Sequence, residues 1–350
     1  MIRFEPRDRT PAWLPIGARL AALAAALLLA ALPLMLAGAP VLTAYRLMAE
    51  GAAGTVFAVT ETLTRATPLL FTGLAATVAF RARLFNIGGE GQLYAGALAA
   101  VVVGAGVVSG PPAVLVPLVL VCAAVAGALL MLGPALLRTR FGVDEVVTTL
   151  LLNFVVVLFI QMMVEGPLKD PMGGGWPQSE PLLPEAILPP LLDRMRLHAG
   201  FPLGLLACGA VHVLLAHTAF GLRVRAVGGN ASAAAYAGIP VVRTLVWVGL
   251  LSGALAGLAG ASEVAGLKGN LTADLSRGFG YAGIVVAMAA GLQPLLVAPM
   301  AVLVAGVFVG ADTMGRALGV SSSIADLIVA LALLCVLVGG LFVQYRPRFT

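Results

Sequence analysis

Charged residues are scarce in this sequence. Asp, Glu, Lys and Arg make up 11% of its 350 residues, and 60% are hydrophobic. A soluble domain carries about 25% charged residues, so an ordinary soluble protein is excluded. Short alternating strand patterns are also lacking, which excludes a membrane barrel. The hydrophobic runs are long instead. The sequence therefore predicts an all-α polytopic membrane protein, because a helix pairs its own backbone groups in lipid.

Cysteine, histidine and catalytic motifs are equally scarce. Cys122, Cys208 and Cys335 lie inside apolar runs without metal-ligand or redox spacing. His212 and His217 are five residues apart, one more than the spacing that favours a shared metal on a helix. The sequence contains no Walker-type phosphate loop and no serine nucleophile elbow. We therefore expect no metal site, no cofactor and no catalytic site in this chain, so a partner must supply any catalytic chemistry.

About ten membrane-spanning helices are expected from the apolar runs. A span needs about 20 apolar residues, and two of the runs are long enough to hold two spans each. Turn sequences divide these runs at 109–113 and 290–294. The predicted spans are residues 20–45, 66–80, two within 91–137, 146–164, 197–222, 244–262, two within 278–311, and 327–345. The second predicted span, residues 66–80, is short and contains Pro68, so some spans are expected to be broken or re-entrant.

The arginines predict the orientation. They cluster before the first predicted span and after the second, fourth, sixth and tenth, so ten spans place every cluster on one side. The positive-inside rule makes that side the cytoplasm, with both termini there. The expected divisions are a cytoplasmic N-terminal segment (1–19), a transmembrane domain (20–345) and a cytoplasmic tail (346–350). Within the transmembrane domain we expect an extracytoplasmic loop (165–199) and a cytoplasmic segment (221–242).

Two stretches of the sequence echo each other. FNIGGEGQLYAGALAA (85–100) and SRGFGYAGIVVAMAAG (276–291) both place glycines before Tyr-Ala-Gly and a small-residue helix. They open predicted spans three and eight, which cross the membrane in opposite directions. This pattern is typical of a five-plus-five inverted repeat. Chance similarity between two helices rich in glycine and alanine is the alternative.

The cytoplasmic segment contains GLRVRAVGGNASAAAYAGIP (221–240), which is more elaborate than a simple connection requires. Gly228 and Gly229 permit a tight turn, and Asn230 can cap a short alanine-rich helix that ends at Gly238. That helix is too short and too polar to span a membrane. Its small-residue face suits docking into a groove on a partner, and the alternative is an interfacial connector.

This segment resembles the coupling segment of ATP-binding-cassette (ABC) import permeases of the branched-chain amino acid and simple sugar group. ETLTRATPLLFTGLAATVAFRARLFNIGGEGQ (61–92), VDEVVTTLLLNF (143–154) and VEGPLKDP (164–171) are similar to its nucleoside branch. The long outer loop resembles the longer of the two permease paralogues of such systems. The resemblance covers roughly residues 57–343.

The resemblance implies a nucleoside permease subunit in the bacterial cytoplasmic (inner) membrane, without an ATPase site of its own. Its partners would be a second homologous permease, a cytoplasmic ABC ATPase that uses ATP, and an extracytoplasmic substrate-binding protein. Nucleic acid is not an expected partner. The residues expected to couple to the ATPase are Arg223, Arg225, Gly228, Asn230, Ala234, Gly238 and Ile239. A simple-sugar (ribose-type) permease is the alternative, and an ion-coupled secondary transporter is a more distant one.

Polar side chains inside predicted spans are candidates for the substrate path, because such groups are expensive in lipid. The candidates are Asn86, Glu90, Gln92, Tyr94, Asn153 and Phe154. Amides and aromatic rings suit a neutral nucleoside, and we expect no Arg or Lys at mid-span. The alternative is a structural role, in which Asn153 bonds a neighbouring helix and Glu90 satisfies N–H groups at a helix start.

Overall fold

The computed structural model describes residues 2–6 and 14–349, and helices form most of this part. The all-α prediction is confirmed. The only described strands, β1 (Ile2–Pro6) and β2 (Tyr345–Phe349), pair antiparallel. The predicted terminal segments, 1–19 and 346–350, lie partly outside the described residues. The helices are α1 (Leu14–Leu36), α2 (Val41–Ala53), α3 (Val56–Arg81), α4 (Gly89–Val102), α5 (Pro112–Phe141), α6 (Glu145–Glu165), α7 (Gly200–His217), α8 (Ala219–Gly229), α9 (Ala231–Tyr236), α10 (Val241–Glu263), α11 (Phe279–Ala289), α12 (Pro294–Leu318) and α13 (Ser322–Gln344).

Eight of the described helices are long and apolar enough to cross a membrane. They are α3 to α7, α10, α12 and α13; π-helical turns extend α4 to Val107 and α10 to Lys268. The helix axes of α1 and α2 differ in direction by 118°, and the two helices make a ninth crossing if they form one broken span. The expectation of about ten membrane helices, some of them broken or re-entrant, is confirmed, with eight or nine full crossings among the described residues. The eighth predicted span is α11, whose 11 residues extend only about 16 Å at 1.5 Å per residue.

Two other span boundaries also differ from the prediction. The first predicted span ends early, because Gly38 adopts a positive φ of 70° and turns the chain before α2. The second is neither short nor broken, since α3 runs unbroken through Pro68 over 26 residues. The predicted span began only after Arg65, because a charged residue was not expected inside a span. In the structure Arg65 pairs with Asp312 of α12, with 3.7 Å between nitrogen and oxygen.

The chain divides into two compact units, residues 1–65 with 302–350, and residues 66–301. In the first unit, Leu34 and Ala44 pack with Met314 and Ile328 in a small buried cluster. In the second unit, α10 packs against α4 and α5 through glycines. A Cβ at Gly253 would lie 2.3 Å from the carbonyl oxygen of Gly127, so only glycine permits this approach of α10 to α5. Close backbone contact of this kind stabilises helix pairs in lipid, where apolar side chains alone provide little driving force.

The loop between α6 and α7 folds back onto the second unit. Backbone N–H groups of Ser179, Leu182 and Leu188 donate to carbonyls of residues 271, 269 and 265, at 2.8 to 2.9 Å. His198 is buried at the end of this loop, and its Nδ1 accepts from the N–H of Gly200 at 3.1 Å. Burial lowers the pKa of His198 to about 4. The loop therefore forms an ordered cap on one end of α4 and α10, rather than a loose connection.

Candidate functional site

Residues 84–88 form a non-helical segment between α3 and α4, and α6 supplies partners for its backbone. Glu145, Thr149 and Asn153 are four residues apart on α6, so their side chains share one face. An unpaired backbone group is costly in lipid, and this face lets α4 begin within the span rather than at its end. The contacts are Phe85 N to Glu145 Oε1 (3.0 Å), Ile87 N to Thr149 Oγ1 (3.3 Å) and Gly91 N to Asn153 Oδ1 (2.8 Å).

A buried amide pair fixes the same segment to α10. Asn86 and Gln92 exchange two hydrogen bonds of 2.9 Å, each amide nitrogen donating to the other amide oxygen. Asn86 Nδ2 also donates to Ser252 Oγ at 2.9 Å, and Ser252 donates to the carbonyl of Ala75 in α3 at 2.8 Å. Ser252 lies near the middle of the span Val241–Lys268. Helices α3, α4 and α10 are therefore tied together by polar side chains near mid-span.

Helix α11 also begins near mid-span, directly against the start of α4. The carboxylate of Glu90 accepts from the N–H of Gly280 at 2.7 Å, and Thr72 donates to the carbonyl of Phe279 at 3.0 Å. A Cβ at Gly280 would lie 2.2 Å from the nitrogen of Glu90, so glycine is required at this contact. Two helix N-termini each carry partial positive charge, and a carboxylate between them offsets their repulsion. We call this meeting of the two helix starts the junction.

From the junction the two helices run in opposite directions. The far end of α4 meets the loop between α6 and α7, where Leu183 N donates to Gly104 O at 2.8 Å. The far end of α11 meets the end of α3, where Arg81 Nε donates to Leu292 O at 2.8 Å. The two echoing stretches thus open helices that run in opposite directions from the junction, and of these α4 with its π-helical turn is long enough to cross a membrane whereas α11 is not. This is the local geometry of an inverted repeat, and the full five-plus-five repeat stays a prediction.

Two tyrosines flank the junction. Tyr94 donates to the carbonyl of Ala273 at 2.7 Å and accepts from the N–H of Ser276 at 3.2 Å, which fixes the chain entering α11. Tyr281 accepts from Asn153 Nδ2 at 3.2 Å and is 39% exposed. The exposed Arg277 follows Ser276 in the loop that leads from α10 into α11. The expectation of no Arg or Lys at mid-span stays a prediction.

The structure brings five of the six substrate-path candidates together, namely Asn86, Glu90, Gln92, Tyr94 and Asn153. Phe154 is the exception. It is 59% exposed on another face of α6, because consecutive helical residues point about 100° apart. The polar groups of the other five bond to the chain itself, which favours the structural alternative. Contact with substrate stays a prediction. Sequence reasoning missed Ser252, Thr149 and Tyr281, although the spacing of Glu145, Thr149 and Asn153 marks one polar face of α6.

Arg223, Arg225 and Gly228 lie on α8 of the predicted coupling segment. The tight turn expected at Gly228 is wrong, because Gly228 and Gly229 are the last residues of α8. A Cβ at Gly228 would lie 1.9 Å from the carbonyl oxygen of Arg81. Glycine therefore serves close packing of α8 against the end of α3. Arg225 Nη1 donates to the carbonyl of Leu215.

The remaining coupling residues form α9 and its ends. Asn230 caps α9 by accepting from Ala233 N at 3.0 Å, and Gly238 ends it with a φ of +79°. Ile239 N closes the turn on Ala234 O at 3.0 Å. Ala234 is only 4% exposed, so it cannot lie on an outward docking face as expected. The side chain turned outward is Tyr236, which is 97% exposed.

Arginines gather at one end of the second unit. The close approach of Gly228 to Arg81 places α8 beside the end of α3, and Arg138 Nε pairs with Glu145 Oε2 at 3.1 Å beside the start of the 84–88 segment. The clustering expected from the sequence is thus present here, and its orientation to the cytoplasm stays a prediction. The arginines of this end are Arg81, Arg83, Arg138, Arg140, Arg223, Arg225 and Arg243. No three His, Cys, Asp or Glu side chains in the described chain group closely enough to hold a metal ion.

The comparison with protein families finds a match over residues 58–337 to the branched-chain amino acid transport system permease component. A glucose ABC transporter permease protein of Haloferax volcanii is 34% identical over 99% of this chain and 93% of its own length. A guanosine ABC transporter permease protein of Bacillus subtilis is 36% identical, covering 87% and 88%. A nucleoside ABC transporter permease protein of Lactococcus lactis is 30% identical, covering 75% and 74%. No solved structure matches the chain.

These matches confirm the resemblance seen in the sequence. Permease subunits of this kind act with a separate ATPase and a substrate-binding protein and have no ATPase site of their own. The ion-coupled secondary transporter is thereby set aside. The chain belongs to the family of branched-chain amino acid transport system permease components, and it is a multi-pass membrane permease of an ABC importer.

Proposed function

We propose that the chain is the nucleoside-translocating permease of its importer, paired with a second homologous permease. Relatives named for guanosine and nucleoside transport, at 36% and 30% identity, support this substrate class. The structural observation that carries the proposal is Tyr281. It presents a partly exposed aromatic ring beside the junction, and its hydroxyl is already held by Asn153. A planar base can stack on such a ring, and no polar group of the junction need be unpaired to receive it.

The same proposal assigns α8 and α9 to coupling. ATP is hydrolysed by the separate ATPase, and α9 docks on that subunit through the face that carries Tyr236. Movement of α9 passes to α8 and, through the contact of Gly228 with Arg81, to the end of α3. Arg81 holds Leu292 beyond the end of α11, and α11 begins at the junction. A continuous series of contacts thus joins α9 to the junction.

In this proposal both termini and the arginine end of the second unit face the cytoplasm. The loop between α6 and α7 then faces the substrate-binding protein on the outer side. This arrangement rests on the positive-inside rule. Labelling a single cysteine at Ser232 on exposed α9 tests it, because an impermeant thiol reagent should not reach this position in intact cells. Native cysteines are first replaced, and reaction in intact cells would reverse the orientation.

Substrate uptake tests the nucleoside assignment. Cells that lack their own nucleoside and sugar uptake systems receive the whole importer, and uptake of labelled guanosine, uridine, ribose and glucose is measured. We expect nucleoside uptake that unlabelled ribose and glucose do not compete. Sugar uptake without nucleoside uptake or competition would refute this and support the second candidate, a sugar permease. The 34% identity to the glucose permease over 99% of the chain favours that candidate.

A further inference from the structure

A cavity of about 530 Å³ lies at the arginine end, between α7, α8 and α10. It stands apart from the junction and shares only Arg223 with the predicted coupling residues. The residues that define its chemistry are Leu214, Phe220, Arg223, Arg243, Trp247 and Leu251. Two are basic and four are apolar or aromatic, so the cavity has the character of an amphipathic site.

The cationic part of the cavity has no internal anion. Arg223 and Arg243 are both exposed, and within residues 14–340 neither makes an ion pair or a side-chain hydrogen bond. Arg138 of the same end differs, because Glu145 neutralises it at 3.1 Å. Two unneutralised guanidinium groups facing one cavity attract a phosphate, which guanidinium binds through two parallel hydrogen bonds.

The apolar part of the cavity follows the membrane-spanning helices. Leu214 belongs to α7, and Trp247 and Leu251 follow Arg243 at successive turns of α10, away from the arginines and into the span. Trp247 is 53% exposed. A tryptophan between a basic end and an apolar helix face is typical of the membrane interface. A carboxylate from a partner protein would use only the arginines and leave this wall uncovered.

We propose that this cavity binds an anionic phospholipid, with its headgroup phosphate facing Arg223 and Arg243 and its acyl chains along Trp247, Leu251 and Leu214. Basic pockets between membrane helices recognise such headgroups. The lipid lies beside the N-terminal half of α8, where Phe220 and Arg223 line the cavity, so its binding stabilises the position of this helix. The choice of the cytoplasmic leaflet and the coupling role of α8 rest on the proposed function, whereas the binding of the lipid does not.

The test measures lipid binding to the complete purified importer. The complex is stripped of lipid in detergent and titrated with phosphatidylglycerol or phosphatidylcholine, and bound lipid is counted by native mass spectrometry. Wild type should prefer phosphatidylglycerol. Arg243→Gln should lower its affinity for phosphatidylglycerol about fivefold, the worth of one basic side chain at a membrane surface, without changing binding of phosphatidylcholine. Arg243→Lys should keep most of the preference, since it keeps the charge.

Arg140→Gln is the matched control, because Arg140 is an exposed arginine near the end of α5, outside the cavity. An equal loss of binding in Arg140→Gln and Arg243→Gln would overturn the proposal, as would equal affinity of wild type for the two lipids. Displacement by millimolar inorganic phosphate would instead indicate a free-anion site. Binding seen only after the ATPase is removed would show that the partner fills the cavity. Lipid binding as expected, together with absent nucleoside uptake, would refute the proposed substrate alone.

Discussion

Replacing Gly228 with alanine should push α8 away from α3 and uncouple the importer. The new Cβ would lie 1.9 Å from the carbonyl oxygen of Arg81, whereas contacts under 3.0 Å are essentially never seen. The two backbones must therefore separate by roughly 1 Å. Neither atom is the end of a flexible side chain, so the strain cannot be relieved by a rotamer change. Overpacking of this kind costs about 1–3 kcal/mol.

Gly229 provides a matched control one residue along the same helix. A Cβ there meets nothing within 4 Å, and its φ is not in the positive region. Gly229→Ala should therefore be neutral or stabilise the helix by about 0.5–1 kcal/mol, the ordinary gain from replacing a helical glycine. The two variants have the same composition and the same helix propensity. They differ in the contact with Arg81, so the difference between them isolates that contact.

The assay compares both variants in the assembled importer. Gly228→Ala should lower the thermal midpoint by several degrees relative to Gly229→Ala and should reduce substrate-stimulated ATP hydrolysis and uptake together. The basal ATPase rate reports whether the complex is still assembled. If Gly228→Ala matches Gly229→Ala in stability and uptake, the contact does not transmit movement and the proposed coupling series fails at its first step.

Three further changes test other parts of the structure. Asn153→Leu leaves Gly91 N–H and Ile87 O without their partner, so it should destabilise the protein by about 2–4 kcal/mol; full stability with lost uptake would instead place Asn153 on the substrate path. Tyr236→Ala should leave the thermal midpoint unchanged and weaken co-purification of the ATPase, and unchanged co-purification would argue against docking through α9. His198, whose pKa is lowered to about 4, is neutral when folded. The unfolded state takes up its proton first, so wild type should lose about 3 kcal/mol more stability than His198→Gln between pH 6.5 and 4. Parallel melting curves over this range would contradict the buried neutral state.

The sequence predicts what depends on local pattern and misses what depends on distant contacts. The cap at Asn230 and the polar character of the 84–92 stretch follow from short-range chemistry. The burial of Ala234 and the packing of Gly228 do not, because distant parts of the chain determine them. The end of α11 agrees with the turn expected at 290–294, since the helix stops at Ala289. The packing of its start against Glu90 and Thr72 could not be predicted, because these residues are distant in the chain.

The junction is a poor candidate for binding the substrate tightly, so the selectivity of the importer for its substrate is expected to lie elsewhere. The side chains of Asn86, Gln92, Glu90 and Asn153 all bond to the protein itself, and breaking a buried hydrogen bond without replacing it costs about 1–3 kcal/mol. A permeant molecule would have to replace several such bonds at once. It would contact Tyr281 more readily, since that ring is already exposed and stacking on it breaks no internal bond. We therefore infer that this permease holds its cargo weakly through an aromatic surface, and that the substrate-binding protein makes most of the selection. Exchange of the binding protein alone should then change which nucleoside is imported, and retention of the original preference after that exchange would place selectivity in the permease.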